Sequence, residues 1–363
     1  MASIQKRPNG KWRARYRDAA GKEHARHFSR KIDAQRWLDE VTADVVTGRY
    51  VDPRTARMTF SEWAETWLRG YEGKRPSTVR QARVHLRLLE AEFGDMPLAS
   101  IRPSHVKAWT AKLASDGRAP SYVYAVYRRL AQVMGDAAHD GIIPRSPCSR
   151  RTSPQQGEQR PYVATEAQVW ALHDSMPAHL APAVLLGAFA GLRVSEAAGL
   201  RVTDIDFMRG TVTPAVQHGD APLKTKASAA SVPIPQDLAL MLAASVERAT
   251  DLAGDRATHV VTNELGRPTS PWAIERAIRA VRESVPGLPV GFRHHDLRHF
   301  YASTLIDAGL SVKVVQSCLR HKSATTTLNT YGHMFPDADE SARAAIAAAL
   351  TARADSVRTE AAT

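Results

Sequence analysis

The sequence predicts a chain of three units: a small α+β module, an all-α helical bundle and a mainly-α domain with a small antiparallel sheet. Three observations carry that prediction. Residues 11–17 alternate strictly between apolar and basic side chains. Residues 58–150 place apolar residues at helical spacing throughout. From 160 onward, helical patterns surround a short alternating stretch at 211–217. Residues 51–57 and the Pro-, Ser-, Arg- and Gln-rich run 144–157 read as linkers. The expected boundaries are 1–57, 58–152 and 160–350, with 351–363 as a disordered tail.

In the first unit, Trp12, Ala14 and Tyr16 fall on one face of a strand, and Arg13, Arg15 and Arg17 on the other. Residues 18–22 turn, and 23–28 return. Ser29 is placed to cap a helix bearing Ile32, Trp37, Leu38, Val41 and Val45, which Gly48 ends. A small sheet on one helix, with arginines outward, can lay strands in a DNA groove. A basic sheet without a ligand is the plainer alternative.

The second unit reads as four helices. Thr59 and Glu62 start the first, with Trp63, Trp67 and Leu68 inward. Ser77 and Thr78 open the next, where Val84, Leu88 and Leu89 are expected inside and Arg80, Arg83 and Arg87 outside. Pro103 opens the third, with Val106, Trp109 and Leu113, and Ser121 the fourth, with Val123, Val126, Leu130 and Val133. Arginines spaced at three and four usually form a solvated face. Recurring on a compact helical unit, they suggest a surface that follows phosphates.

In the third unit, Thr165 and Glu166 begin a helix. Residues 182–190 form a buried apolar helix ended by Gly191, and Arg193 opens the next segment. Residues 211–217 read as a strand, His218, Gly219 and Asp220 as a turn, and 223–226 and 231–234 as the rest of a small sheet. Helices are expected at about 237–250, 272–284, 295–308 and 311–319, with a last one at 338–352.

Charge is unevenly placed. The net charge is +12, made of +7 in residues 1–57, +6 in 58–160 and −1 in 161–363. A polyanion gripped by the first 160 residues and worked on by the remainder fits this division, against the plainer reading of a merely soluble basic surface. Cys148 and Cys318 are the two cysteines, with no CxxC, which excludes a disulfide scaffold and a cysteine-based zinc site. No apolar run reaches membrane-spanning length and no signal-peptide pattern opens the chain, so a cytoplasmic home is expected.

The chemistry gathers in the third unit. His295-Asp296-Leu297-Arg298-His299 is followed by Arg320-His321 and then Tyr331, and Ala190-Gly191-Leu192-Arg193-Val194-Ser195-Glu196 lies upstream. Two arginines can hold one phosphodiester through bidentate bonds. Histidines move protons near neutral pH. A tyrosine hydroxyl can attack phosphorus and form an ester. The plainer readings are a surface salt bridge for an arginine and a satisfied core hydroxyl for a tyrosine. Tyr301 is expected in the core, and His294, His299 and His333 as structural or peripheral. His295 and His299 lack a carboxylate or cysteine at ligand spacing, so no metal is expected.

This third unit resembles the catalytic domain of the tyrosine recombinases, the phage-integrase family. AGLRxSE, a lysine in a KTKxS hairpin, HxLRH, a degenerate LxH and a terminal YxH occur in order. The three-unit layout is similar to integrases with an arm-binding, a core-binding and a catalytic domain. One departure stands out: the family usually has glycine before the third-motif histidine, and Arg320 stands here.

The resemblance implies roles. Arg193 and Arg298 would clamp the scissile phosphate and Tyr331 would attack it. His295 would take the proton and His321 would bond the phosphate. Lys224 would protonate the leaving 5′ oxygen, with Lys226 as competitor, and Glu196 would orient a histidine or arginine. The product would be a 3′-phosphotyrosyl link and a free 5′ hydroxyl, with no cofactor. The implied partners are double-stranded DNA at attachment sites and three further copies in a homotetramer, with room for an accessory DNA-bending protein and an excisionase. The setting would be a bacterial host's cytoplasm, at the nucleoid. A type IB topoisomerase-like enzyme and a non-catalytic DNA-binding protein of the same fold are the alternatives.

Overall fold

The computed structural model describes residues 2–17, 21–46, 57–157, 161–223 and 225–335, with 343, 346–348 and 350–351 beyond them. Gly48, most of the 51–57 linker, Lys224 and most of the expected 338–352 helix and terminal tail lie outside the described residues. The chain divides into two compact units, Met1–Glu158 and Gln159–Thr363.

The first unit begins with an antiparallel sheet, β1 (Ser3–Lys6), β2 (Trp12–Arg17) and β3 (Glu23–Phe28), in that order. Strand β1 was not expected. Helix α1 (Lys31–Val46) follows. The alternation of β2 buries Ala14 and Tyr16 with Ala34 and Leu38 of the helix, and Tyr16 meets Trp37 edge-on at 5.5 Å. Arg13 and Arg15 face away, where Arg13 pairs with Glu23 at 3.2 Å and Arg15 bonds Ser3 at 2.8 Å.

Four helices complete the unit: α2 (Phe60–Tyr71), α3 (Pro76–Phe93), α4 (Pro103–Ser115) and α5 (Pro120–His139). Thr59 and Glu62 form the reciprocal cap that their spacing promised. The other three helices each open on a proline, whose fixed φ suits the first helical position and whose missing N–H costs nothing there. The core is drawn from these helices and the chain around them, with Phe60, Trp63, Leu89, Trp109 and Leu130 at its centre. Val84 corrects the sequence reading. The buried stripe of α3 runs through Val79, Ala82, Leu86, Leu89 and Phe93, whose alternating steps of three and four leave Val84 on the other side. Val84 is 50% exposed and lines an open groove of 580 Å³ with Arg80, Arg83 and Arg87.

In the second unit a Thr165–Gln168 cap starts α6 (Glu166–Ser175). Then come α7 (Pro182–Ala190) and α8 (Val194–Gly199). Five two-residue strands follow: β4 (Ile205–Asp206), β5 (Thr211–Val212), β6 (Val216–Gln217), β7 (Ala221–Pro222) and β8 (Val232–Pro233). They form the sheet β4-β5-β8 and the hairpin β6-β7, both antiparallel. The single strand expected at 211–217 is thus two strands in separate sheets. Pro214, which lacks a ladder donor, sits at the break. Helices α9 (Gln236–Ala253), α10 (Pro271–Val281), α11 (His294–Asp307), α12 (Val312–Cys318) and α13 (Ala324–Tyr331) complete the unit. Among the described residues, no helix is long and apolar enough to cross a membrane.

Helix α7 is the unit's axis, buried at every position but Phe189. Helix α11 lies against it, and a Cβ added at Gly187 would stand 3.0 Å from both His294 Cε1 and Leu297 Cβ. That approach fixes the first turns of α11, where the HxLRH residues sit. Gly191 ends α7 in the left-handed region at φ 59°, and a Cβ there would meet the Tyr301 ring at 2.4 Å. Gly191→Ala combines left-handed strain with overpacking, and the expected loss is about 2–4 kcal/mol. Urea unfolding followed by circular dichroism measures it. An unmoved midpoint would mean that Tyr301 swings aside at no cost.

Candidate active site

The first turns of α11 carry four chemically active side chains. His294 and Arg298, and His295 and His299, are four residues apart, so each pair shares a face. His294 is fully buried and donates from Nε2 to the Ala183 carbonyl at 2.9 Å, a bond within the scaffold. Arg298, 1% exposed, donates to the carbonyls of Gly191 and Leu319. Those carbonyls lie at the C-terminal ends of α7 and α12, the partially negative poles of both helices.

Arg193 occupies the N-cap of α8, and its side chain is 30% exposed. Its backbone N–H donates to Glu196 Oε2 at 3.0 Å and its Nη1 to Oε1 at 2.9 Å. Glu196 is fully buried, and its Oε2 also accepts from Arg320 Nη2 at 2.7 Å. Burial alone would raise this carboxyl. The charge of Arg320, the Arg193 backbone bond and the Arg193 charge outweigh it and hold the group below the usual carboxylate range.

Arg320 follows α12 at φ 53°. Glycine is the usual residue for this conformation, which costs another residue about 1–2 kcal/mol. The backbone therefore keeps the turn that glycine would make, and the buried side chain points inward to Glu196 and the Ser228 carbonyl. His321, next in the chain, bonds Thr327 of α13 through Nδ1 at 2.9 Å.

Tyr331 ends α13 and is 2% exposed. Its hydroxyl lies 2.7 Å from His299 Nδ1, and the ring of His299 meets that of His295 edge-on at 4.9 Å. His299, expected as structural or peripheral, is the hydrogen-bond partner of the Tyr331 hydroxyl. The signal available was the four-residue step from His295. Placing Tyr331 beside it needed a contact across 32 residues.

Electrostatics explain what these groups can do at rest. Burial pushes Arg298 down to about 9, helped by the charges of Arg193 and Arg320. Burial and the charges of His295, Arg298 and His321 hold His299 near 4. Burial, with the charges of Arg298, Arg193 and His295, does the same to His321, at about 4. His295 is lowered by burial and by the same two arginines. Burial raises the Tyr331 phenol to about 12, against a downward pull from Arg298. At neutral pH the histidines are therefore uncharged and the phenol keeps its proton. Three guanidiniums, of Arg193, Arg298 and Arg320, meet one fully buried carboxylate, that of Glu196, an imbalance that an anion would relieve.

Of the residues singled out in the sequence, Arg193, Glu196, His295, Arg298, His321 and Tyr331 come together in this unit. The side chain of Lys226 is not described; its backbone opens the turn Lys226–Ala229, which Thr225 caps. Among the described residues, no three His, Cys, Asp or Glu side chains are placed to hold a metal ion.

Comparison with known proteins covers most of the chain. The phage integrase family matches residues 164–337, the phage integrase N-terminal domain 2–47 and the phage integrase N-terminal SAM-like domain 59–114. The chain is 25% identical over 360 residues to a tyrosine recombinase XerC-like protein of Caldanaerobacter subterraneus subsp. tengcongensis, covering 88% of this chain and 90% of that one. It is 24% identical over 318 residues to the integrase of Mycobacterium phage D29, covering 82% of each. The Tn1549 transposon integrase bound to transposon right-end DNA has a similar fold, with a TM-score of 0.67 at 20% identity over 81% of this chain and 100% of that one.

The depressed histidines make a stability prediction. Unfolded histidines take up protons near pH 6.5, whereas His294, His299 and His321 resist until about 4. Between those values the unfolded chain binds more protons, so stability falls as pH falls. The melting temperature should drop steadily from about pH 7 to about pH 5 at fixed ionic strength, and His294→Gln should flatten that drop. A level profile in the parent chain would show that these imidazoles titrate normally.

Proposed function

This chain belongs to the phage integrase family, and from that premise we propose that it is a site-specific DNA recombinase that integrates and excises a phage or mobile element through a phosphotyrosyl intermediate. The observation that carries the residue assignment is the buried Tyr331 phenol. It is hydrogen-bonded to an uncharged histidine in a site whose guanidiniums outnumber its carboxylates.

In this mechanism the scissile phosphate enters beside Arg193 and Arg298 and supplies the missing negative charge. The two guanidiniums neutralise the charge that grows on its non-bridging oxygens. Phosphate arrival also raises the proton affinity of the nearby histidines, because an anion offsets the cations that depress them. Tyr331 leaves His299 and attacks phosphorus. The bond from phosphorus to the 5′ oxygen breaks as the bond to the phenol oxygen forms. The phenol proton passes to His295, and the leaving 5′ oxygen is protonated by Lys224, with Lys226 as the competing donor. His321 bonds the phosphate. A 5′ hydroxyl from a partner strand then reverses these steps. Bond energy is kept in the ester, so neither ATP nor a metal is required.

The rest of the chain is assigned to holding DNA. Arg13, Arg15 and Arg17 give the N-terminal sheet a basic face suited to flanking arm sites. Arg80, Arg83 and Arg87 line a groove suited to the phosphate backbone of the core site. A lambda integrase tetramer bound to a Holliday junction has a similar fold, with a TM-score of 0.59 at 20% identity over 89% of this chain and 96% of that one. We extend that assembly to this chain: four copies on two duplexes, in a bacterial cytoplasm, with a DNA-bending protein and an excisionase as accessory partners.

On a nicked suicide duplex, the parent chain should accumulate a covalent protein–DNA complex. Tyr331→Phe should bind as well and trap nothing; an adduct with that variant would mean another nucleophile. Arg80→Gln, Arg83→Gln and Arg87→Gln together should weaken binding equally across sequences and reduce the salt slope of the binding constant by about 3. An unchanged slope would place the DNA elsewhere.

A further inference from the structure

The side chain of Arg320 links three segments of the candidate site, and the proposed mechanism gives it no role. Its backbone closes α12: the Arg320 N–H donates to the Ser317 carbonyl at 2.8 Å and the His321 N–H to the Gln316 carbonyl at 3.0 Å. That pair of bonds puts Arg320 where helices favour glycine. Among the described residues, Asp220 is the other non-glycine with positive φ. Asp220 is exposed at a hairpin tip, whereas the Arg320 side chain is fully buried. Its Nε–H has no acceptor among the described residues. Glycine would avoid both the strain and the orphaned donor.

What the arginine adds is its fork. Nη2 donates to Glu196 Oε2 at 2.7 Å, and Nη1 to the Ser228 carbonyl at 2.9 Å. Glu196 in turn holds the backbone and side chain of Arg193. Ser228 belongs to the Lys226–Ala229 turn, two to four residues beyond both candidate lysines. One planar guanidinium thus ties the turn bearing His321 to the carboxylate that aims Arg193 and to the base of the lysine loop. Lysine, a point cation, cannot reproduce two divergent bonds of fixed geometry.

We propose that Arg320 is a positioning residue that locks the lysine loop to the Glu196–Arg193 pair and thereby sets the geometry of strand cleavage. The inference rests on the recombinase reading of this site. The lock replaces the freedom of a glycine turn with a fixed distance between the phosphate clamp and the general acid.

The test compares the full-length parent with R320G and R320K on a suicide duplex. DNA affinity, the single-turnover cleavage rate and amide hydrogen exchange across residues 225–230 are measured. R320G relieves the left-handed strain and should fold and bind DNA like the parent. Its cleavage rate should fall by about 10-fold to 100-fold, the scale expected when reacting groups are misplaced by about 1 Å. Exchange at 225–230 should quicken, and added methylguanidine should restore part of both the rate and the protection. R320K should cleave slowly too, since charge without the fork does not rebuild the tether. Parental cleavage and exchange in R320G overturn the proposal; if R320G does not fold, parental cleavage and exchange in R320K overturn it. A parent that forms no adduct would instead refute the recombinase reading, and the exchange measurement would still show whether the tether exists.

Discussion

The carboxylate of Glu196 is the constraint on which the site depends. Among the described residues it is the one fully buried acidic group, and it stands between Arg193 and Arg320 with Arg298 nearby. Guanidiniums withdrawn from water are costly unless paired and hydrogen-bonded. Glu196 offsets two of them directly. Arg298 is supported differently, by carbonyls at the negative ends of α7 and α12. The short helices around the site are therefore part of its electrostatics. Gly191 and Leu319 place carbonyl oxygens where a buried cation needs them.

The same charge excess sets the resting state of the titrating groups. Each of the clustered histidines is depressed by burial and by arginine charge, and the phenol is raised by burial. The phenol thus keeps its proton while the site lacks an anion, and the neutral imidazoles beside it can accept a proton but are weak bases. In the mechanism proposed, the phosphodiester is both substrate and the charge that makes proton transfer favourable. Local electrostatics would then couple recognition to activation, without a separate regulatory site.

Much of this was legible in the sequence because it is local. The Thr59 and Thr165 caps, the alternation of β2 and the apolar run of α7 each follow from residues within one or two turns of each other. The unread parts have local causes as well. Strand β1 is four residues long, too short for a periodic signal. Helix α13 contains four threonines in eight residues, β-branched side chains that weaken helix propensity. It forms because Thr327 and Tyr331 pack inward. Val84 was misplaced because the stripe of α3 can be drawn through either of two neighbouring rows. The roles of His299 and Arg320 were hidden for a different reason. Both depend on partners far along the chain, 32 residues away for His299, 92 and 124 for Arg320.

The weak helix propensity of α13 bears on function. In the mechanism proposed, Tyr331 is 2% exposed, so α13 would have to shift or open before the phenol reached a phosphate on DNA. Its buried residues are Thr327 and Tyr331, tied by single hydrogen bonds to His321 and His299. Exposing one large side chain costs about 1.5–3 kcal/mol, and each neutral hydrogen bond adds about 1 kcal/mol. The total, about 3.5–5 kcal/mol, is within reach of a few charge-assisted contacts to DNA. A longer helix with a continuous apolar stripe would hold the phenol too firmly for that exchange. A segment with no helix would not hold it at all. An eight-residue, threonine-rich helix with two anchors lies between those limits, where local opening is cheap enough for a bound ligand to drive.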